Sequence, residues 1–156
     1  MNTQETRIRR MERADLDRVV VIEQSLKDAP HWPLIAYLTA LDENSVPRRV
    51  CLVAEDLETG IVAGFAVACA IGLQAELETI AVAAREQRRG TGKQLMDVVV
   101  EKLKLEGVRE IVLEVRASNQ PALAMYQSFG FRKTGRRPRY YADPVEDAVL
   151  LSLGLT

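Results

Sequence analysis

Apolar positions along the chain change period from segment to segment, and the periods predict the elements. Ile8 to Met11 suits a short first strand. From Ala14 to Lys27, Leu16, Val19, Val20, Glu23 and Leu26 recur at helical spacing, against a weaker strand signal from the run Val19-Val20-Val21. Pro30 and Pro33 bracket a break, and Leu34 to Leu41 suits a second, short helix. Arg49 to Asp56 and Ile61 to Ile71 read as strands joined by the hairpin turn Leu57-Glu58-Thr59-Gly60, and Glu76 to Val82 as the next strand. Between Thr91 and Glu106, Leu95, Val99 and Leu103 form one helical stripe with Met96 and Val100 beside it, and Gly107 ends the helix. Glu110 to Arg116 is a strand, and Pro121 opens a helix in its favoured first turn. Phe131 to Tyr141 and Asp147 to Leu153 close the chain as an antiparallel pair. The order is β-α-α-β-β-β-α-β-α-β-β, an α/β (α+β) pattern. It carries no internal repeat, linker or low-complexity segment, so residues 1–156 are expected to form a single domain.

Composition narrows the class. A hydrophobic fraction of 47% over 156 residues is enough for one sizeable core. A net charge of −1 does not indicate wholesale attraction to nucleic acid or to a membrane surface. Met1 to Arg13 is polar and basic, unlike a secretory signal, and no stretch approaches the ~20 apolar residues of a spanning helix. Cys51 and Cys69 both lie in strand-like segments and are expected to be buried thiols in a reducing cytoplasm. With His31 as the single histidine, a multi-histidine metal centre is excluded and no metal is expected.

The candidate chemistry begins at Gln87-Arg88-Arg89-Gly90-Thr91-Gly92, between the strand ending at Val82 and the helix from Thr91. Free N–H groups at a helix start converge on one point, and the helix dipole adds positive charge there. Gly90 and Gly92 let backbone approach a phosphate without a Cβ in the way, while Arg88, Arg89 and Lys93 add formal charge. A diphosphate is the natural ligand. A P-loop is excluded, because Gln87 stands where its first glycine belongs and Gln94 follows the lysine. A dinucleotide fingerprint fails at Leu95.

The remaining pattern, Gln/Arg-x-x-Gly-x-Gly/Ala between strand and helix, resembles the acetyl-CoA loop of the GNAT acetyltransferases. The element order is also theirs. Downstream, Leu113-Glu-Val-Arg-Ala-Ser-Asn119, Ala124-Met125-Tyr126, Ser128-Phe129-Gly130-Phe131, Tyr140-Tyr141 and Glu146-Asp147-Ala148 resemble the RimI type, which acetylates the N-terminal alanine of a ribosomal protein. The close match covers about residues 76 to 153. The N-terminal half matches more loosely, through Ile22-Glu23-Gln24 and a Trp-containing segment. The resemblance implies a central mixed, mostly antiparallel, twisted sheet of about six or seven strands flanked by about four helices. It also implies acetyl-CoA as co-substrate.

Acetyl transfer from a thioester to an amine needs a deprotonated acceptor, a stabilised carbonyl oxygen, a protonated leaving thiolate and alignment. The chain has no Gly-x-Ser-x-Gly elbow, and its one histidine lies in an N-terminal segment, so direct attack in a ternary complex is expected rather than an acyl-enzyme. Strand alternation sets Ile111, Leu113 and Val115 on one face, and Val112, Glu114 and Arg116 on the other. A carboxylate within an apolar strand is partly desolvated, which tends to raise its pKa. The residues alone leave Glu114 either a base or a structural partner of Arg116 or Arg109; the resemblance makes it the general base, with Glu76 and Glu78 as rivals. Tyr126 is either a core anchor or, as the resemblance implies, the acid: a phenol near pKa ~10 can protonate a thiolate whose conjugate acid is near ~8.5. Asn119 suits a helix cap and, in the family, also contacts CoA. By the same resemblance, Ile80, Ala81 and Val82 bind the pantetheine arm through backbone, where a bulge splays their strand from the next.

Weaker features remain. Arg132, Lys133, Arg136, Arg137 and Arg139 read chiefly as solvation of an exposed strand edge, with attraction of an acidic peptide as the alternative. Tyr140 and Tyr141 are candidates to line the acceptor cleft; otherwise one is core and one exposed. Trp32 suits core packing or substrate contact equally, and His31 suits the surface. The expected acceptor is a protein N-terminal α-amine. The alternatives are a free small amine and a non-catalytic CoA-binding module on the same fold.

Overall fold

The computed structural model describes residues 5–26, 31–87 and 89–156. In chain order the elements are β1 (Thr6–Arg10), α1 (Leu16–Ser25), α2 (Leu34–Leu41), β2 (Arg48–Asp56), β3 (Val62–Ile71), β4 (Gln74–Val82), α3 (Thr91–Leu105), β5 (Glu110–Arg116), α4 (Gln120–Ser128), β6 (Arg132–Tyr141) and β7 (Glu146–Gly154). The strands form one seven-stranded sheet in the order β1-β2-β3-β4-β5-β7-β6. Every pairing is antiparallel except β4 with β5, which the α3 crossover makes parallel.

Two apolar layers hold helices to the sheet. On one face, Leu95, Met96, Val99 and Leu103 of α3 and Tyr126 of α4 pack with Leu52, Leu77, Ile111, Leu113 and Leu151. On the other, Leu16, Val19 and Ile22 of α1 and Tyr37 and Ala40 of α2 pack with Cys51, Val53, Phe65, Val67 and Ala81. The central strand β3 is therefore buried on both faces from Val62 to Cys69. Each fully buried Leu or Val contributes roughly 1.5–3 kcal/mol, so the stripes outweigh local propensity. That is why Val19-Val20-Val21 is helical despite its β-branching: Val19 is fully buried between α1 and the sheet.

Several boundaries differ from the sequence reading. The first helix does not start at Ala14: Arg13–Asp15 is a 3-10 turn, fixed by the Asp15 carboxylate accepting the Glu12 N–H at 2.7 Å, and Leu16 opens the α-helix. Lys27, its expected end, and Pro30 lie outside the described residues. Its inner stripe uses Ile22 where Val20 was expected. Phe131 precedes β6 and is buried beneath Tyr126 instead of pairing in the strand. The hairpin turn forms as read: Asp56 accepts the Glu58 and Thr59 N–H groups, and Gly60 takes the positive φ of +73°.

One irregularity in the sheet positions the site. β3 pairs with β4 as Val67↔Thr79 and then Ala68↔Leu77, which leaves Glu78 as an extra residue. This bulge exchanges the two faces of the strand. Before it, Leu77 packs in the α3 layer; after it, Ala81 packs in the α1–α2 layer. β4 also pairs with β5 only from Gln74 to Glu76, against Glu110 to Val112. Beyond Glu76 the two strands part, and the sheet opens between them.

Candidate active site

A cleft of ≈ 550 Å³ occupies this opening. Leu77, Glu78, Thr79 and Ile80 of β4 form one wall, and Glu114, Val115 and Arg116 of β5 form the other. Asn119, Met125 and Tyr126 close it on the α4 side, and Leu26 and Tyr141 on the α1 side. Because it lies between parted strands, the cleft can be entered from both faces of the sheet. The resemblance implied this splay and this bulge, and both are present.

Glu114 sits on the face away from α3, since its neighbours Leu113 and Val115 belong to the α3 layer. Its partner is neither Arg116 nor Arg109 but Arg137 of β6, with Nη1 at 3.6 Å from Oε1. Tyr140 also lies against Glu114; the hydrogen bond between them raises the phenol pKa, with burial adding to it. Arg116 faces the β6–β7 connection instead. Its guanidinium stacks 4.4 Å from the Tyr141 ring, meets Glu146 at 3.4 Å and donates to the Ala142 and Pro144 carbonyls. Burial pushes the Tyr141 phenol up to about 12, and the charge of Glu114 assists. Tyr141 lines the cleft, whereas Tyr140 is about half exposed.

The rival carboxylates differ in their commitments. Glu78 is held by Arg49 at 2.7 Å. Glu76 has no ion pair among the described residues, and its carboxyl is raised above the usual range by desolvation and then by the charges of Glu78 and Glu114. Tyr126 is 8% exposed, packs edge-on against Phe131 with centroids 5.6 Å apart, and reaches the cleft. Burial raises its pKa, so it stays a neutral phenol and a proton donor through the physiological range. Asn119 does cap α4, its Oδ1 accepting the Ala122 N–H at 3.2 Å, with Pro121 in the first turn.

The basic loop precedes α3. Gly90 is the N-cap residue with φ +82°, and a Cβ there would meet nothing within 4 Å, so this corner is open to a ligand. The α3 N–H groups of the first turn, at Thr91, Gly92 and Lys93, have no helical carbonyl to bond. Gly92 serves packing as well: a Cβ would lie 3.3 Å from Met125 Sδ. Arg89 meets Glu86 at 3.2 Å, and Lys93 meets Asp97 at 3.1 Å with its ammonium 5.8 Å from the Phe129 ring centre. Arg88 lies outside the described residues. Gln87 donates through Nε2 to the Val82 carbonyl at 3.0 Å, on the run Ile80–Val82 where β4 has no strand partner toward β5.

Outside the cleft, His31 is exposed, and Trp32 packs in the α1–α2 layer with its ring 5.2 Å from Tyr37. The buried carboxylate of Glu23 receives the Trp32 N–H and the Tyr37 hydroxyl, which ties Trp32 and α2 to α1. Both cysteines are free and buried. No cluster of three metal-ligating side chains occurs among the described residues, and no helix there is long and apolar enough to cross a membrane. In the basic segment, Arg132, Lys133, Arg136 and Arg139 do lie on the exposed edge strand β6, with Arg136 bonded to Asp147. Arg137 is the exception. Its role beside Glu114 was missed, because composition marks it as one of five like charges and only the β5-β7-β6 order brings it across.

Residues 14–131 match the model of the acetyltransferase (GNAT) family, and the chain belongs to that family. It is an acetyl-CoA-dependent N-acetyltransferase, an acyltransferase. The chain is similar to ribosomal protein bS18-alanine N-acetyltransferase of Escherichia coli, with 38% identity over 101 residues, 64% of this chain and 68% of that protein. It is also similar to the Haemophilus influenzae protein of the same name, with 32% identity over 148 residues, 93% of this chain and 96% of that one. Among solved structures, the ribosomal-protein alanine N-acetyltransferase from Escherichia coli superposes with a TM-score of 0.83 at 31% identity, over 97% of this chain and 95% of that one. Ard1 from Thermoplasma volcanium gives a TM-score of 0.84 at 27% identity, over 97% and 98%.

Proposed function

We propose that the chain is a single domain that acetylates the N-terminal α-amine of a protein, with a ribosomal protein beginning with alanine as the expected acceptor. The opening between β4 and β5 carries the reading, because it brings two faces of the sheet into one cleft with Glu114 and Tyr126 on its walls. The relatives named for ribosomal-protein alanine acetylation supply the acceptor class. One sheet taking in every strand from β1 to β7 supports the single domain.

The residues present fit acetyl-CoA. The open corner at Gly90 and the free N–H groups of Thr91, Gly92 and Lys93 suit a diphosphate, with Arg88 and Arg89 adding charge. The unpaired edge of β4 at Ile80, Ala81 and Val82 suits an amide-bearing arm, and Asn119 lies at the same mouth. When bound, acetyl-CoA supplies an acetyl group activated as a thioester. Glu114 takes the proton that the acceptor ammonium gives up. The amine nitrogen then bonds to the acyl carbon as the carbon–sulfur bond breaks, with a β4 amide N–H donating to the acyl oxygen. Tyr126 gives its phenolic proton to the leaving sulfur, and the second proton, shed by the nitrogen as the amide forms, restores the phenol, leaving the first on Glu114 to pass to solvent.

Proton energetics favour an α-amine over a lysine. An α-amine with pKa near ~8 is roughly a tenth neutral at pH 7, against about four molecules in ten thousand for a lysine near ~10.4. The test uses two peptides, one with a free N-terminal Ala and no lysine, the other with a blocked N-terminus and an internal lysine. Mass spectrometry after incubation with acetyl-CoA should find acetylation of the first. Faster turnover of the second would refute the reading, and turnover of neither would point to a small-molecule amine.

A further inference from the structure

We propose that the Thr79 hydroxyl positions the acceptor, accepting a hydrogen bond from the amine that attacks; the proposal rests on the ternary-complex reading above. Thr79 is 4% exposed, and its Oγ1 is buried with no hydrogen-bond partner among the described residues. A buried hydroxyl without a partner costs stability, and native structures hold few of them. Ser45 Oγ is the other such atom among the described residues, but it lies in the α2–β2 connection, away from the cleft. Thr79 lines the cleft itself.

The Glu78 bulge decides which way Thr79 faces. Regular alternation from Ala75 and Leu77, both in the α3 layer, would place Thr79 in that layer as well. The extra residue turns it to the opposite face, in step with Ala81 and opposite Val67, which both pack in the α1–α2 layer. Glu114 occupies the same face across the parted strands. The loop at Gly90 and helix α4 lie toward the α3 layer. A side chain on the Glu114 face therefore meets the acceptor and not the acetyl donor. Once Glu114 has taken one proton, the neutral α-amine has two N–H groups and a lone pair. With one N–H turned to the Glu114 carboxyl and the other held by Thr79 Oγ1, the lone pair is left to face the open edge of β4. Two fixed points define an orientation where a lone carboxylate would allow rotation.

Thr79→Val removes the hydroxyl at nearly constant shape, and Thr79→Ser keeps it. With an Ala-initiated peptide, Thr79→Val should lower kcat/KM for the peptide about tenfold, leave acetyl-CoA affinity by calorimetry unchanged, and melt about 2–4 °C higher. Thr79→Ser should stay within about threefold of wild type. A valine variant that acetylates the peptide within twofold of wild type overturns the proposal. So does one that melts lower and weakens both substrates alike, since that is the mark of a packing residue. If the wild type itself does not acetylate the peptide, the N-terminal reading fails instead. The same comparison is then made with the amine that the wild type does accept.

Discussion

Replacing Glu114 by Gln removes the proposed base while keeping the side chain's volume. The structure sets the size of each consequence. Glu114 meets Arg137 at 3.6 Å with side-chain exposures of 22% and 57%, so the lost pair is a screened one worth at most about 1 kcal/mol. The melting temperature should move by no more than about 4 °C. The rate should move far more, because a positioned base is worth about 10²–10⁴. A loss of about a hundredfold in kcat/KM at pH 7 corresponds to about 2.7 kcal/mol of transition-state stabilisation. The loss should shrink as pH rises. Near pH 9 an α-amine of pKa ~8 is almost wholly neutral, so the variant regains about tenfold over its rate at pH 7. The assay should stop near pH 9.5. Tyr140 is held above its usual range by its hydrogen bond to Glu114 and then by burial, and losing that carboxylate lowers it. Steady-state rates from pH 6 to 9.5 with an Ala-initiated peptide read the effect. Wild-type rates throughout that range would refute the assignment and make the rivals Glu76 and Glu78 the next to replace, Glu76 first because it has no ion pair among the described residues.

Gly90→Glu should abolish acetyl-CoA binding by calorimetry, because it sets a carboxylate where a diphosphate must approach; φ of +82° adds a folding cost of about 1–2 kcal/mol. Unchanged affinity in a folded variant would remove the loop assignment. Tyr126→Phe should lower kcat at least tenfold while leaving acetyl-CoA affinity and melting temperature nearly unchanged, since the ring keeps its contact with Phe131. Asp15→Asn should cost about 2 kcal/mol at pH 7 by breaking the two 2.8 Å bonds from Arg9. Burial alone would raise the Asp15 pKa, but the Arg9 fork and the Glu12 N–H hold it below the usual range. Its contribution is thus present above the unfolded value near ~3.9 and is lost as pH falls through the lower folded value. Urea titrations at pH 7 and pH 3 should show the wild-type advantage shrinking with acid, and an equal gap at both would contradict the sign.

The loop from Gln87 to Gly92 was legible because every part of its signal is local: a strand, glycines, and a helix start whose N–H groups have no partners. Glu114 was legible for a similar reason, since β5 is uninterrupted and alternation alone puts it opposite Leu113 and Val115. The Asn119 cap needed only Pro121 and the helical residues after it. Ile22 replaced Val20 in the first helix because residues outside that helix decide which face is inward.

Sequence by itself determined the order of elements, the family, the glycine turn at the start of α3 and the face of Glu114 on β5. Tertiary structure alone decided that Glu114 meets Arg137, because strand order carries β6 to the sheet edge across β7. It also decided that Thr79 lies on the Glu114 face, because alternation predicts a face only until a bulge, and Glu78 is one. Patterns within a segment are fixed by backbone geometry and can be read directly. Register and bulges are fixed by which distant strand supplies the hydrogen bonds, and one extra residue there reverses every side chain that follows.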